Sequence, residues 1–251
     1  MLGCGTSSGV PRIGGDWGAC DPGNPRNRRT RASILVRSAA TTILVDTGPD
    51  MREQLLVAGV GALDAVIWTH EHADHIHGID DLRQVFHARG APTPGYARAG
   101  TLADLERRFD YVFHGRGGYP PTAQPRLLAD DGMIGDIRVR VVDQPHGNIV
   151  SAGLRFDHGG ASFGYATDFS AMTPDMEALF EGLDLWIADA LRYRPHPTHP
   201  HLAMTLAAIE RLAPRLTVLT HMDQSMDYEA LRAQLPPHVV PGHDGLELPV
   251  A

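Results

Sequence analysis

Six consecutive residues, His70-Glu71-His72-Ala73-Asp74-His75, put three imidazoles and two carboxylates into one short stretch. Neutral imidazole and ionised carboxylate are the ligands that zinc, manganese and iron favour. A capped helix or a hydrogen-bonded core histidine would account for one or two of these residues, but not for the run. In a turn, the first and third positions of the run can point to one side and the fifth and sixth to another. One loop could therefore feed two metal ions. Two ions about 3.5–4 Å apart activate a shared water and clamp the attacking and leaving oxygens of a displacement. Histidine is abundant in the chain as a whole, 14 of 251 residues. The chemistry indicated is metal-assisted hydrolysis.

Such a loop needs rigid elements to hold it. Residues 62–69 (ALDAVIWT) read as a buried strand running straight into His70. Residues 32–37 and 42–46 read as a hairpin, and 137–142, 152–156, 162–167, 183–189 and 216–220 as further strands. Helical spacing is found at 49–57, 79–88, 101–109, 172–180, 202–212 and 228–235, the fourth with a cap region at Thr173-Pro174-Asp175-Met176. Residues 3–31 and 115–126, rich in Gly and Pro, read as loops. Early strands followed by alternating β and α segments predict an α/β chain with two sheets covered by helices. Several strands end on a ligand-type residue: Asp46, His70, Asp168, Asp189 and His221. In α/β sheets, ligands bind beyond the strand ends.

Composition narrows the classes. At 251 residues one domain spanning 1–251 is expected, with 43% hydrophobic and 21% charged residues, as in ordinary globular chains. A net charge of -8 weighs against a nucleic-acid partner. Two cysteines, Cys4 and Cys20, exclude a disulfide framework and a four-thiolate zinc site, and fit a cytoplasmic location. Neither has a base beside it to activate the thiol. No apolar run is long enough to span a membrane, and the first residues lack the pattern of a signal peptide. The abrupt start at Met1-Leu2-Gly3 leaves open a trimmed first strand or an upstream start.

The His-x-His-x-Asp-His run resembles the signature of the metallo-β-lactamase superfamily, whose fold is an αββα sandwich of two mixed β-sheets flanked by helices. The family's remaining ligands follow in the order His, Asp, His. Here His146 stands in Gln144-Pro145-His146-Gly147, read as a loop after a strand. Asp168 ends Tyr165-Ala166-Thr167-Asp168, and His221 lies in Leu219-Thr220-His221-Met222. The resemblance implies two divalent metal ions, zinc or manganese. His70, His72 and His146 would hold one, Asp74, His75 and His221 the other, and Asp168 would bridge. Asp74 would also orient the attacking water. Asp46, in Val45-Asp46-Thr47-Gly48, matches the family's first motif and would prop the histidine loop.

A bridging Asp rather than a Cys argues against a true β-lactamase. The opening run from Gly3 to Gly14, the stretch Asn24-Pro25-Arg26-Asn27-Arg28-Arg29-Thr30-Arg31 and the segment Pro195-His196-Pro197-Thr198-His199 resemble the PhnP-like cyclic-phosphate phosphodiesterases. In that group a non-ligand His before a helix assists phosphodiester cleavage. The following helix aligns His199 with it, and His196 and His201 are the other candidates in the loop. The resemblance therefore implies a metal-dependent phosphodiesterase acting on a small, cyclic or nucleotide-like phosphodiester. A homodimer would suit the family. Gly15, Trp17, Cys20 and Gln224 stand where PhnP-like proteins carry Cys-x-Cys-x-x-Cys and a His, so no structural zinc is expected. The basic run 26–31 reads as solvated surface that could also offer guanidinium groups to a phosphate, and Arg192 could face the pocket. The competing readings are a tRNA 3′-processing ribonuclease, a glyoxalase-type thioesterase or lactonase, and a non-catalytic metal- or nucleotide-binding relative.

Overall fold

A computed structural model describes residues 1–250, and its strands sort into two sheets. The first is built from β1 (Ile34–Arg37), β2 (Thr42–Val45), β3 (Ala65–Ile67), β4 (Thr93–Ala97) and β5 (Ala123–Leu127), in that spatial order. Only the β1–β2 hairpin is antiparallel, and the other neighbours run parallel. Between these strands lie α1 (Met51–Val57), α2 (Ala73–Ile76), α3 (Leu82–Arg89), α4 (Ala99–Arg108) and α5 (Asp110–His114).

The second sheet holds β6 (Asp131–Ile134), β7 (Ile137–His146), β8 (Ile149–His158), β9 (Ala161–Ala166), β10 (Leu185–Asp189), β11 (Leu216–Thr220) and β12 (Val239–Pro241). Its order is β12-β11-β10-β9-β8-β7-β6, antiparallel from β6 to β9 and parallel from β9 to β12. Three helices belong to this half: α6 (Pro174–Phe180), α7 (Leu202–Leu212) and α8 (Tyr228–Arg232).

The buried side chains form three layers. Ile34, Ile43, Ile67, Val139, Phe156 and Tyr165 fill the space between the sheets. Trp68, Leu82 and Leu105 pack helices onto the outside of the first sheet. Phe180, Trp186, Ile209 and Leu231 do the same on the second. Burying each such aromatic or aliphatic side chain stabilises the fold by about 1.5–3 kcal/mol. This is the αββα sandwich that the resemblance implies.

Several element boundaries differ from the sequence reading, for local reasons. β5 lies mostly within residues 115–126, whose Gly and Pro content predicts loop, and β4 lies in a stretch to which the sequence reading assigns no element. Gly95 is required there: a Cβ would sit 2.3 Å from the ring of Trp68, which crosses β4 at that point. The short β6 and the helix α5 were also unmarked. β7 runs on through Pro145, so His146 is the last residue of a strand, paired with Ile149 across a tight turn, and not a loop residue. Thr173 caps α6 as expected, its hydroxyl accepting from the Met176 amide.

Candidate metal centre

All the ligand-type side chains gather at the edge where the strands end. β2 delivers Asp46, β3 leads into His70, β7 ends at His146, β9 leads to Asp168, β10 ends at Asp189 and β11 leads to His221. Asp46, Asp168 and His221 have left-handed backbones, with φ of 66°, 56° and 59°. Non-glycine residues seldom adopt this conformation, and where they do the strain tends to serve a site. Here it turns the side chain back over the strand end.

α2 is a single helical turn starting right after His72, too short to be stable alone. The segment 46–48 grips it. The Thr47 amide donates to the His75 carbonyl and the Gly78 amide to the Thr47 carbonyl, both at 2.8 Å. Gly48 lies so close that a Cβ would stand 2.4 Å from the Asp74 carbonyl oxygen.

The side chains form two adjoining pockets that share one carboxylate. In the first, His146 Nε2 lies 3.2 Å from His72 Nδ1, and Asp168 Oδ1 lies 3.5 Å from His146 Nε2 and 3.8 Å from His70 Nε2. In the second, His75 Nε2 lies 3.3 Å from Asp74 Oδ2 and 3.3 Å from Asp168 Oδ2, while His221 Nε2 lies 3.6 and 3.5 Å from the same two oxygens. The two oxygens of Asp168 thus face different pockets. Atoms tetrahedrally disposed at about 2.0–2.2 Å from a common ion stand roughly 3.3–3.6 Å apart, which is the spacing found. Nε2 of His70, His75 and His221 is buried without a hydrogen-bond partner. Buried polar atoms are nearly always paired, so three orphaned imidazole nitrogens aimed at one carboxylate are what a dinuclear metal site requires. The seven expected ligands all lie in this cluster, and Asp189 and His199 form a further ligand-type group with Asp168 and His221 that the sequence reading did not include.

A further layer fixes these rings. Asp46, fully buried, accepts from the Thr69 amide and hydroxyl and bonds His75 Nδ1 at 2.7 Å. The Thr69 hydroxyl also lies 3.0 Å from His70 Nδ1. His146 Nδ1 donates to the Thr198 carbonyl at 2.9 Å. Each of these contacts selects which nitrogen can ligate.

The two pockets perturb their histidines in opposite directions. Burial, with neighbouring His75, holds His70 well below the ordinary imidazole range, and burial also lowers His146 despite Asp168. In the second pocket burial is outweighed by carboxylates. Asp168, Asp74 and Asp46 push His75 well up, and Asp168 and Asp189 raise His221 to about 9.

His199 stands beside this cluster. Its ring stacks on His221 at 4.9 Å and 12° and meets His146 edge-on at 4.8 Å. Its Nδ1 bonds Asp189 Oδ2 at 3.0 Å, and that oxygen also accepts from the Asp168 amide. The Asp189 partnership was invisible in the sequence, where this residue was only an acid at a strand end. His196 lies against His199 at 5.1 Å, whereas His201 occupies the N-cap position of α7.

The basic run 26–31 is not simply solvated surface. Arg29 is 1% exposed and donates to the carbonyls of Asp223 and Met226, bracing the loop after His221. Arg31 pairs with Asp50. Arg192 folds back onto the carbonyls of Arg194 and Pro195. Both cysteines are buried and free; burial raises both thiols, Cys4 strongly, which makes them poor nucleophiles. Among the described residues no helix is long and apolar enough to cross a membrane.

Comparison with known proteins agrees with this geometry. The family model described as "Beta-lactamase superfamily domain" matches residues 41–222. A solved structure of "a New Diphosphatase from the PhnP Family" is 36% identical, with a TM-score of 0.90, and the match covers 98% of this chain and 94% of that one. An octanoyltransferase of Porphyromonas gingivalis is 32% identical over 254 residues, 98% of this chain but only 50% of that protein. A ribonuclease Z of Mycolicibacterium gilvum is 31% identical over 163 residues, 57% of each protein. The chain thus spans about half the length of these curated relatives. It belongs to the β-lactamase superfamily, with the fold and the clustered His and Asp side chains of a metal-dependent hydrolase resembling the PhnP-family diphosphatase.

Proposed function

We propose that the chain is a dinuclear metal-dependent phosphodiesterase acting on a small phosphodiester, the diphosphate linkage included. The observation that carries this reading is the His199–Asp189 pair set against the two pockets, in a chain 36% identical to a PhnP-family diphosphatase. His70, His72 and His146 would hold one ion, Asp74, His75 and His221 the other, and Asp168 both. Bound there, two divalent ions supply an activated water and charge neutralisation at the phosphoryl oxygens.

The chain's own groups supply the rest. Asp74, whose side chain is 13% exposed and so reaches solvent, accepts a hydrogen bond from the attacking water and aligns it. Asp189 holds His199 by Nδ1, which leaves Nε2 to carry a proton to the leaving oxygen. A proton delivered in this way contributes about 10²–10⁴-fold in rate.

The test is turnover of bis(p-nitrophenyl) phosphate by protein loaded with zinc or manganese. Hydrolysis is expected, and its absence with either ion would sink the proposal. The ribonuclease Z likeness supports a second reading, cleavage of tRNA precursors. The net charge of -8 opposes it, and release of a 3′ trailer from a precursor tRNA at rates above those for the small diester would favour it.

A further inference from the structure

The loop Pro195-His196-Pro197-Thr198-His199-Pro200 contains a second histidine that the reading above does not use. His196 is half-buried, and its ring meets His199 at 5.1 Å and 63°. It is not one of the clustered ligand-type residues. The Thr198 amide and hydroxyl both lie 3.3 Å from His196 Nδ1. An amide N–H can only donate, so Nδ1 must be the acceptor and the ring's proton sits on Nε2. Burial, with His199 and Arg192 nearby, lowers His196 from the ordinary imidazole value and so keeps the ring neutral. Among the described residues Nε2 has no hydrogen-bond partner. Pro197 restricts the backbone of His196, and Pro200 that of His199.

Thr198 also ties His196 to the metal centre. Its carbonyl accepts from His146 Nδ1 at 2.9 Å, so one residue orients a ligand histidine and fixes the tautomer of His196. Gly147, after His146, leaves room for this: a Cβ there would stand 3.0 Å from the Thr198 methyl group. A neutral N–H donor is therefore held one ring beyond His199, with the Arg192 guanidinium folded nearby on the carbonyls of Arg194 and Pro195.

We infer that His196 is a specificity-determining residue of the leaving-group side, donating its Nε2 proton to an oxygen of a second phosphoryl group next to the one that reacts. The inference rests on the phosphodiesterase reading. The two ring centroids are 5.1 Å apart, so a group leaving beside His199 passes within reach of His196. A substrate whose leaving group is an aryl or alkyl alkoxide offers His196 nothing to bind. The site therefore favours diphosphate-type substrates over simple diesters through His196, while His199 serves both.

Calorimetric binding to the manganese-loaded protein of AMP and of ADP with a methylene in place of its bridging oxygen, which cannot be hydrolysed (ADP below), tests this without relying on turnover. In His196→Ala the ADP Kd should rise about 10-fold or more, the loss of one hydrogen bond to a charged group. The AMP Kd should stay within about twofold, since AMP has no second phosphoryl group. His196→Gln, whose amide N–H reaches a similar position, should recover most of the ADP affinity. Equal weakening of both nucleotides, unchanged ADP binding, or no recovery in His196→Gln would each overturn the role. Bis(p-nitrophenyl) phosphate turnover by the unmutated protein is run in parallel. Its absence would overturn the phosphodiesterase reading, and the ADP-to-AMP contrast decides His196 separately.

Discussion

The two pockets are neighbours that share a carboxylate, yet they are electrostatic opposites. The first is three imidazoles and one oxygen of Asp168, and its buried histidines His70 and His146 resist protonation. The second sets two imidazoles among Asp74, Asp168, Asp46 and Asp189, and its histidines hold protons tightly, His221 up to about 9. A metal entering the first pocket displaces no proton near neutral pH, whereas one entering the second must displace them. The difference teaches that ligand count alone does not describe such a centre. Carboxylates that attract a cation also attract the competing proton.

The sharpest way to break this comparison is to remove what the pockets share. Asp168→Asn should release both metals and reduce diester turnover to background; metal analysis showing one pocket still filled would mean that Asp168 does not serve both. His199→Ala should lower kcat about 10²–10⁴-fold while both metals stay bound. Loss of metal in that variant would place His199 among the ligands. Asp46→Asn should weaken metal binding about 10–100-fold, and should weaken the second pocket more, because Asp46 bonds His75 directly but reaches His70 only through Thr69. Thr69→Val should act on the first pocket alone, by a smaller factor.

Two pH effects sharpen the comparison further. Metal affinity of the first pocket should be nearly flat from pH 6.5 upward, because His70 and His146 are already neutral there, while that of the second should keep rising to about 9. Competition titrations with a chromophoric chelator at pH 6.5 and 9 would show one or two pH-dependent steps. The metal-free protein should have a stability maximum between these influences. His221 is raised in the folded state, so its contribution is complete below pH 6.5 and is lost as pH climbs through about 9. His70 is lowered, so it costs stability below pH 6.5, where only the unfolded chain is protonated. Thermal unfolding of the metal-free protein should therefore give Tm falling on both sides of about pH 6.5, and bound metal should remove the alkaline fall.

The candidate ligands were legible because their chemistry is concentrated in type or position. His70 to His75 is contiguous, and His146, Asp168 and His221 close recognisable strand patterns. Asp46 was legible through the motif it begins. What stayed hidden depends on contacts between distant segments. Asp189 becomes a partner of His199 only when the chain returns 10 residues later. Arg29 looks like surface charge until the loop after His221, 194 residues away, closes over it. β5 is masked by Pro125 within a Gly- and Pro-rich stretch, and its parallel pairing with β4 sets the backbone there. His146 reads as a loop residue after a strand ending at 142, whereas β7 continues through Pro145 to the site.

The central claim is a two-metal centre divided by Asp168, and metal stoichiometry tests it most directly. Protein saturated with zinc or manganese at pH 8, freed of excess ion and analysed by mass spectrometry under native conditions, should carry two ions per chain, and Asp168→Asn should carry none. A single ion per chain in the unmutated protein, or two retained in the variant, would contradict it.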